Sequence, residues 1–370
     1  MISKAAFFAL PIFVIAVLVL PSQGRAGEIG FDLPQPNGCY PVGTTTDVLK
    51  DTHRNRDLVV TFWYPAVAGT AMPAPYMDKK TGDALAEDWK LQPDFQRLVR
   101  THARVGAAIA EGGRFPVILL EHGLGVVPAI YTILAEGLAS SGFIVVATNH
   151  PIESLIAVFP NGHEIKFTPF WPTEADRRTQ GIAMGKFVEE VLVADVRFVL
   201  DQLQGMNSHD GFWHNRLDLS KIGIVGHSMG GAVAAFATRG DSRILAGVNL
   251  DGSTFPGMNA DVRPVPVGKP FLFLAAEEHA SNPAVQIREY VGSESNSYYV
   301  IVGGPDHGSF ADSNLLISRF SGKPSPDSNA FHRGMLTSLL TRSMVEEFFA
   351  KYLKASVAPH LDVVVQVDKK

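Results

Sequence analysis

Apolar residues along this chain fall into short unbroken runs, separated by longer segments in which they recur every three or four positions. The runs are "LVVTFWYP" (58–65), "PVILLEHG" (116–123), "FIVVATNH" (143–150), "KIGIVGHS" (221–228), "ILAGVNLDG" (244–252), "PFLFLAAE" (270–277) and "YYVIVGG" (298–304). Each is strand-sized, and continuity rather than alternation is what a strand buried on both faces requires. The intervening periodicity predicts helices over 129–142, 185–203 and 335–353. In the second of these, Phe187, Val188, Val191, Leu192, Phe198, Val199 and Leu203 form one broad apolar stripe. Gly142 stops the first helix and Pro359 follows the third. Strands alternating with helices of this length predict an α/β fold, a mostly parallel sheet flanked by helices.

Two stretches break the rhythm. Residues 66–114 hold a Pro-rich loop and then a polar helical pattern around "DFQRLVRTHARVG". Residues 151–182 carry "FPNGHEIKFTPFWPTEADRRTQG" just after a strand end, on the side where α/β proteins bind ligands. That segment reads equally as a small lid or pocket wall and as an ordinary decorated loop. Both are treated as insertions in one domain spanning 27–370.

Residues 1–26 are expected to be a signal peptide. Lys4 precedes an apolar run from Ala5 to Leu20, and Gly24 and Ala26 give the small-x-small pattern of a cleavage site. The run falls short of the roughly 20 residues a membrane span needs, so export to the periplasm or medium is expected rather than anchoring. Removal would take away Lys4 and Arg25 and no acid, moving the net charge from -5 to -7. A mildly acidic chain with no basic run argues against a nucleic-acid partner. Cys39 is the only cysteine, so no internal disulfide forms, and its turn-rich setting in "PNGCYPVG" suits a half-buried thiol rather than a nucleophile.

The chemistry centres on "GHSMGG", residues 226–231. A serine hydroxyl is too weak a nucleophile to attack an ester unaided; it needs a base in hydrogen-bond reach, an acid to orient that base, and N–H donors for the oxyanion. Gly-x-Ser-x-Gly between a strand and a helix is the nucleophile elbow, and the apolar "IGIV" before it and small-residue "AVAAFA" after it supply that context for Ser228. The Met229 N–H is one expected oxyanion donor. "ILLEHGLG" (118–125) offers the Leu124 N–H as the other, with His122 a structural hydrogen-bonding residue because the base is expected later in the chain. His307, in a Gly-flanked loop after the last strand, is the expected base. His279 comes too early, His332 opens the terminal helix and His360 lies in the tail. Sequence order leaves the acid open between Asp251 and the adjacent Glu277 and Glu278, both options placed after a strand. No calcium-loop pattern is present, and "HE" at 163–164 lacks the second histidine of a zinc motif, so neither a metal nor a cofactor is expected.

Taken together, "EHGLG", "SGFIVVATNHP", "LDLSKIGIVGHSMGG", "VNLDGSTFPG" and "GGPDHGSFADS" resemble the plasma-type platelet-activating-factor acetylhydrolase family, the lipoprotein-associated phospholipases. Bacterial relatives of that family are often described as predicted dienelactone hydrolases, although true dienelactone hydrolases carry Cys at the elbow. The resemblance runs from about residue 38 to about residue 354. It implies an α/β-hydrolase fold, Ser228 as nucleophile, Asp251 as acid, His307 as base, Leu124 and Met229 as oxyanion donors, and no metal. It also implies a small-molecule or lipid ester as substrate, with transient contact at a lipid surface. Residues 151–182 and 66–114 match the pattern least, and they would shape the acyl pocket. Xenobiotic and polyester hydrolysis therefore stay open beside short-acyl or oxidised phospholipids, as do acyl transfer by the same triad and, remotely, a non-catalytic binding role. Oligomeric state has no sequence signature here.

Overall fold

Each of the apolar runs becomes a strand. The computed structural model describes residues 30–170, 176–252, 267–277, 296–303, 306–322 and 329–355. Within them the strands are β1 (Phe31–Asp32), β2 (Val42–Asp51), β3 (Arg56–Pro65), β4 (Pro73–Pro75), β5 (Val99–Val105), β6 (Phe115–Glu121), β7 (Ile144–Asn149), β8 (Ile156–Val158), β9 (Glu164–Lys166), β10 (Leu217–His227), β11 (Ile244–Leu250), β12 (Phe271–Ala276) and β13 (Ser297–Val302). The helices are α1 (Lys79–Trp89), α2 (Thr132–Ser140), α3 (Arg177–Phe187), α4 (Val193–Ser208), α5 (Met229–Gly240), α6 (Ser313–Phe320) and α7 (Ala330–Lys354).

One large mixed sheet runs β1-β5-β2-β3-β7-β6-β10-β11-β12-β13, with β4 beside β5. From β7 to β13 every neighbouring pair is parallel, while β3 is antiparallel to both β2 and β7. Continuous apolarity follows from the layers. Ile118 and Leu120 of β6 face α2 and α7 (Leu134, Leu138, Val345, Phe348, Phe349), whereas Val117 and Leu119 face α4 and α5 (Val196, Val199, Leu203, Val233, Phe236). With helices on both faces, polar alternation has no place to go. The architecture is that of an α/β hydrolase.

Two sequence expectations are corrected. The helical pattern around residues 94–106 yields only one short 3-10 turn, Phe95–Arg97, and then strand β5. Long-range pairing overrides local periodicity: Gly43 and Thr44 of β2 pair with Arg104 and Val105, and one Glu136 carboxylate oxygen accepts from the His102 and Ala103 amides at 2.9 and 2.7 Å. The helix of this region lies earlier, at α1, where the Asp78 carboxylate accepts from the Thr81 amide. Cys39, expected half-buried, is exposed: its turn is held by its neighbours, the Gly38 amide on Ser140 Oγ and Tyr40 against the core, while Cys39 itself joins neither core layer.

Strand β2 had no apolar run to announce it; "VGTTTDVLKD" is held by a ten-residue antiparallel register with β3. Of residues 151–182, the segment 156–166 forms the β8–β9 hairpin, which packs Ala157 and Phe159 against Val59, and Phe170 stacks on Phe187 at 3.7 Å. Residues 1–26 and 171–175 lie outside the described residues. No described helix is long and apolar enough to cross a membrane.

Candidate active site

The carboxyl ends of β6, β7, β10, β11 and the loop after β13 converge. At the end of β10 the chain reverses into α5 through Ser228, whose backbone is at φ 56°, ψ -121°. For a residue with a side chain this conformation costs about 1–3 kcal/mol, and the surroundings hold it. The Ser228 amide donates to Leu250 O at 3.0 Å, and Ser228 O accepts from the Gly231 amide at 3.0 Å. The flanking glycines are steric necessities. A Cβ on Gly226 would sit 1.9 Å from Gly230 O, and one on Gly230 would sit 2.2 Å from Glu121 O. The turn is therefore as tight as the sequence pattern requires, and it leaves Ser228 partly exposed while Met229 is buried.

Asp251 immediately follows β11, at φ 50°, and is 1% exposed. Its amide donates to Leu274 O, and its Oδ1 accepts from the Ala276 amide at 2.8 Å. Its Oδ2 lies 2.6 Å from His307 Nδ1. A carboxylate can only accept here, so Nδ1 carries the proton and Nε2 is the basic nitrogen of the neutral ring. The His307 side chain is 54% exposed, at the start of a short 3-10 turn that ends at Phe310. Glu277, the alternative acid, is exposed at the end of β12; Glu278, His279 and His360 lie outside the described residues, and His332 is exposed at the start of α7.

The loop after β6 lies against the serine: a Cβ on Gly123 would come 3.2 Å from Ser228 Cβ. His122, 3% exposed, donates through Nδ1 to Gly123 O at 2.7 Å and accepts the His150 amide on Nε2 at 3.3 Å. Accepting on Nε2 needs the neutral ring, and burial together with the nearby His150 charge pushes its pKa down to about 3. In a trans peptide C=O and N–H point opposite ways, so pinning Gly123 O also fixes the direction of the Leu124 N–H.

Beneath this loop lies a buried ionic cluster that the sequence reading missed. His150 gives Nε2 to Glu121 at 2.6 Å and Nδ1 to Asp195 at 2.8 Å. Asp195 also accepts from Arg54 and Arg56, and Arg56 continues to Glu153. Burial works against the His150 charge, but the two carboxylates outweigh it and hold its pKa near about 10. The signal available was modest: "LLEH" and "ATNH" each place a histidine straight after a parallel strand, where ligand-side polar groups belong. Among the described residues no group of His, Cys, Asp and Glu is arranged to hold a metal.

Comparisons with known proteins place the whole chain rather than its individual side chains. Residues 26–161 and 177–354 match the family model described as platelet-activating factor acetylhydrolase, isoform II, and the break falls inside the 151–182 insertion. The platelet-activating factor acetylhydrolase of Cavia porcellus is 26% identical over 324 residues, covering 79% of this chain and 71% of that protein. Its Bos taurus counterpart is 24% identical over 360 residues, covering 87% and 77%. Among solved structures, a ferulic acid esterase from Streptomyces cinnamoneus superimposes with a TM-score of 0.75 at 31% identity, covering 90% of this chain and 96% of the other.

Proposed function

The chain belongs to the platelet-activating factor acetylhydrolase isoform II family and is a carboxylic ester hydrolase, and from that premise we propose that it works through a Ser228–His307–Asp251 triad on esters with a short or medium acyl group. The observation that carries the reading is the 2.6 Å His307–Asp251 bond beside a serine held at positive φ on the elbow. Ser228 Oγ attacks the ester carbonyl while His307 Nε2 takes its proton, and Asp251 steadies the imidazolium. The Leu124 and Met229 amides receive the oxyanion, each such donor being worth about 10²–10³ in rate. The alcohol leaves with the proton from His307, and water, activated by the same nitrogen, releases the acyl group.

The substrate reading favours short-acyl phospholipids, because the relatives matched over most of their length are platelet-activating factor acetylhydrolases. A second reading, an aryl or xenobiotic ester, is favoured by the higher identity to the ferulic acid esterase. The enzyme is also proposed to be exported after cleavage near residue 26, on the strength of the apolar run from Ala5 to Leu20. Rates over a p-nitrophenyl ester chain-length series separate the substrate readings when a phospholipid with a two-carbon sn-2 acyl group and a feruloyl ester are run alongside. Preference for the phospholipid supports the first reading and preference for the feruloyl ester the second. Hydrolysis of none of these esters would sink both.

A further inference from the structure

One chain of hydrogen bonds crosses the site from the oxyanion loop to the base loop without passing through the triad side chains. It begins at the Gly123 amide, which donates to Tyr131 Oη at 3.1 Å. Tyr131 Oη lies 2.9 Å from His227 Nδ1, and His227 Nε2 lies 2.9 Å from His307 O. The directions follow from the ends. A backbone carbonyl can only accept, so Nε2 of His227 carries the proton; Nδ1 then accepts from the Tyr131 hydroxyl, whose oxygen in turn accepts from Gly123. Tyr131 is 1% and His227 6% exposed, so each bond is sheltered from competing water. The His227 and His307 rings stand 4.6 Å apart.

A second tie joins the same two segments. The Asp312 amide donates to Ile130 O at 2.7 Å, and the buried Asp312 carboxyl accepts from Tyr76 Oη at 2.9 Å. Ile130 and Tyr131, just downstream of the oxyanion loop, are thus tied to residues 307–312 at two points, one directly and one through His227. Gly123 itself is gripped twice, its carbonyl by His122 and its amide by Tyr131.

We propose that Tyr131 and His227 are positioning residues that lock the oxyanion loop and the base loop into one preorganised unit. The proposal rests on the triad reading above: a loop carrying an oxyanion donor and a loop carrying the base must keep one spacing through both half-reactions. Neither residue touches the ester; they act through Gly123 and through the His307 main chain. His227 thereby gives a use to the variable position of the Gly-x-Ser-x-Gly elbow.

The test uses the purified full-length enzyme with p-nitrophenyl butyrate, comparing wild type, Tyr131→Phe, His227→Phe, His227→Gln and the Tyr131→Phe/His227→Phe double variant. Each single Phe variant is expected to lower kcat about tenfold with KM within about twofold, and the double variant to be no worse than the poorer single, as linked residues are non-additive. His227→Gln, whose amide can still reach the His307 carbonyl, is expected to recover most of kcat. Single effects that multiply in the double variant, or that fall on KM, overturn the brace. If a Phe variant does not fold, the pair wild type and His227→Gln decides: a His227→Gln enzyme as impaired in kcat as Ser228→Ala overturns the proposal, because the retained bond should rescue it. Rates of fluorophosphonate labelling separate the two levels of the argument. Labelling of wild type away from Ser228 defeats the triad reading and the brace with it. Labelling at Ser228 that is equally fast in wild type and Tyr131→Phe leaves the triad standing and overturns the brace alone.

Discussion

His307 Nδ1 and Asp251 Oδ2 lie 2.6 Å apart, and so do His150 Nε2 and Glu121 Oε2, yet the two rings sit in opposite settings. His150 is 3% exposed and spends both nitrogens on carboxylates, so its ring is a fixed cation among Glu121, Asp195, Arg56 and Glu153. His307 stands 54% exposed, and the carboxylate it meets is Asp251, on Nδ1. A carboxylate partner alone does not make a histidine a base. A second carboxylate and full burial turn the same ring into a structural ion, and a buried ion pair earns little net stability while being costly to break. On the proposed mechanism, the pair under the Gly123 loop is scaffold and the pair on the loop after β13 is machinery.

Substitutions should separate the two pairs cleanly. The largest effect is expected from His307→Asn, a loss of about 10⁴–10⁶ in kcat with folding intact. Steady-state kinetics together with thermal melts check it, and an active variant would reverse the assignment of base and scaffold. Asp251→Asn should cost about 10⁴ in kcat, because an amide can hold the wrong tautomer of His307; near-normal turnover would return the acid to Glu277 or Glu278. His150→Gln is expected to cost about 3–5 kcal/mol of stability, the usual result of stranding buried carboxylates, read from urea unfolding; an unchanged midpoint would show that the cluster is not a scaffold.

The smallest effect is in pH. His150 has its pKa raised in the fold, against an unfolded value of 6.5, to about 10. Its contribution is then fully present below about pH 6.5 and is lost as pH rises through about 10. Stability of the wild type should accordingly decline over that window, and the decline should be shallower in a His150→Gln protein that still folds. Identical pH profiles of the two unfolding midpoints would mean that His150 is not charged in the native state.

How much of this could be read beforehand differs between the same two regions. The side proposed to be catalytic was legible because its residues come with local context: Ser228 between an apolar strand and a small-residue helix, His307 in a Gly-flanked loop, and glycines where a Cβ would collide with backbone. Sequence order alone left Asp251 and Glu277 comparable, because both follow strands; only the fold puts Asp251 Oδ2 on His307 and leaves Glu277 exposed. The scaffold side was nearly silent. Arg56 and Asp195 are 139 positions apart, and no local pattern announces that they meet. Strand β5 departs from its helical pattern for the same reason: its pairing partners lie in β2, β1 and β4, and its amides are held by Glu136 from another element. Local periodicity reports what a segment prefers alone, and distant partners decided otherwise.

The most direct test of the account is to find which atom the enzyme uses to attack. The wild-type protein should be treated with a fluorophosphonate, digested, and the modified peptide located by mass spectrometry, with Ser228→Ala and His307→Asn treated in parallel. A single adduct on Ser228, absent from Ser228→Ala and strongly slowed in His307→Asn, is the predicted result. An adduct on another residue, or ester hydrolysis that persists undiminished in Ser228→Ala, would contradict it.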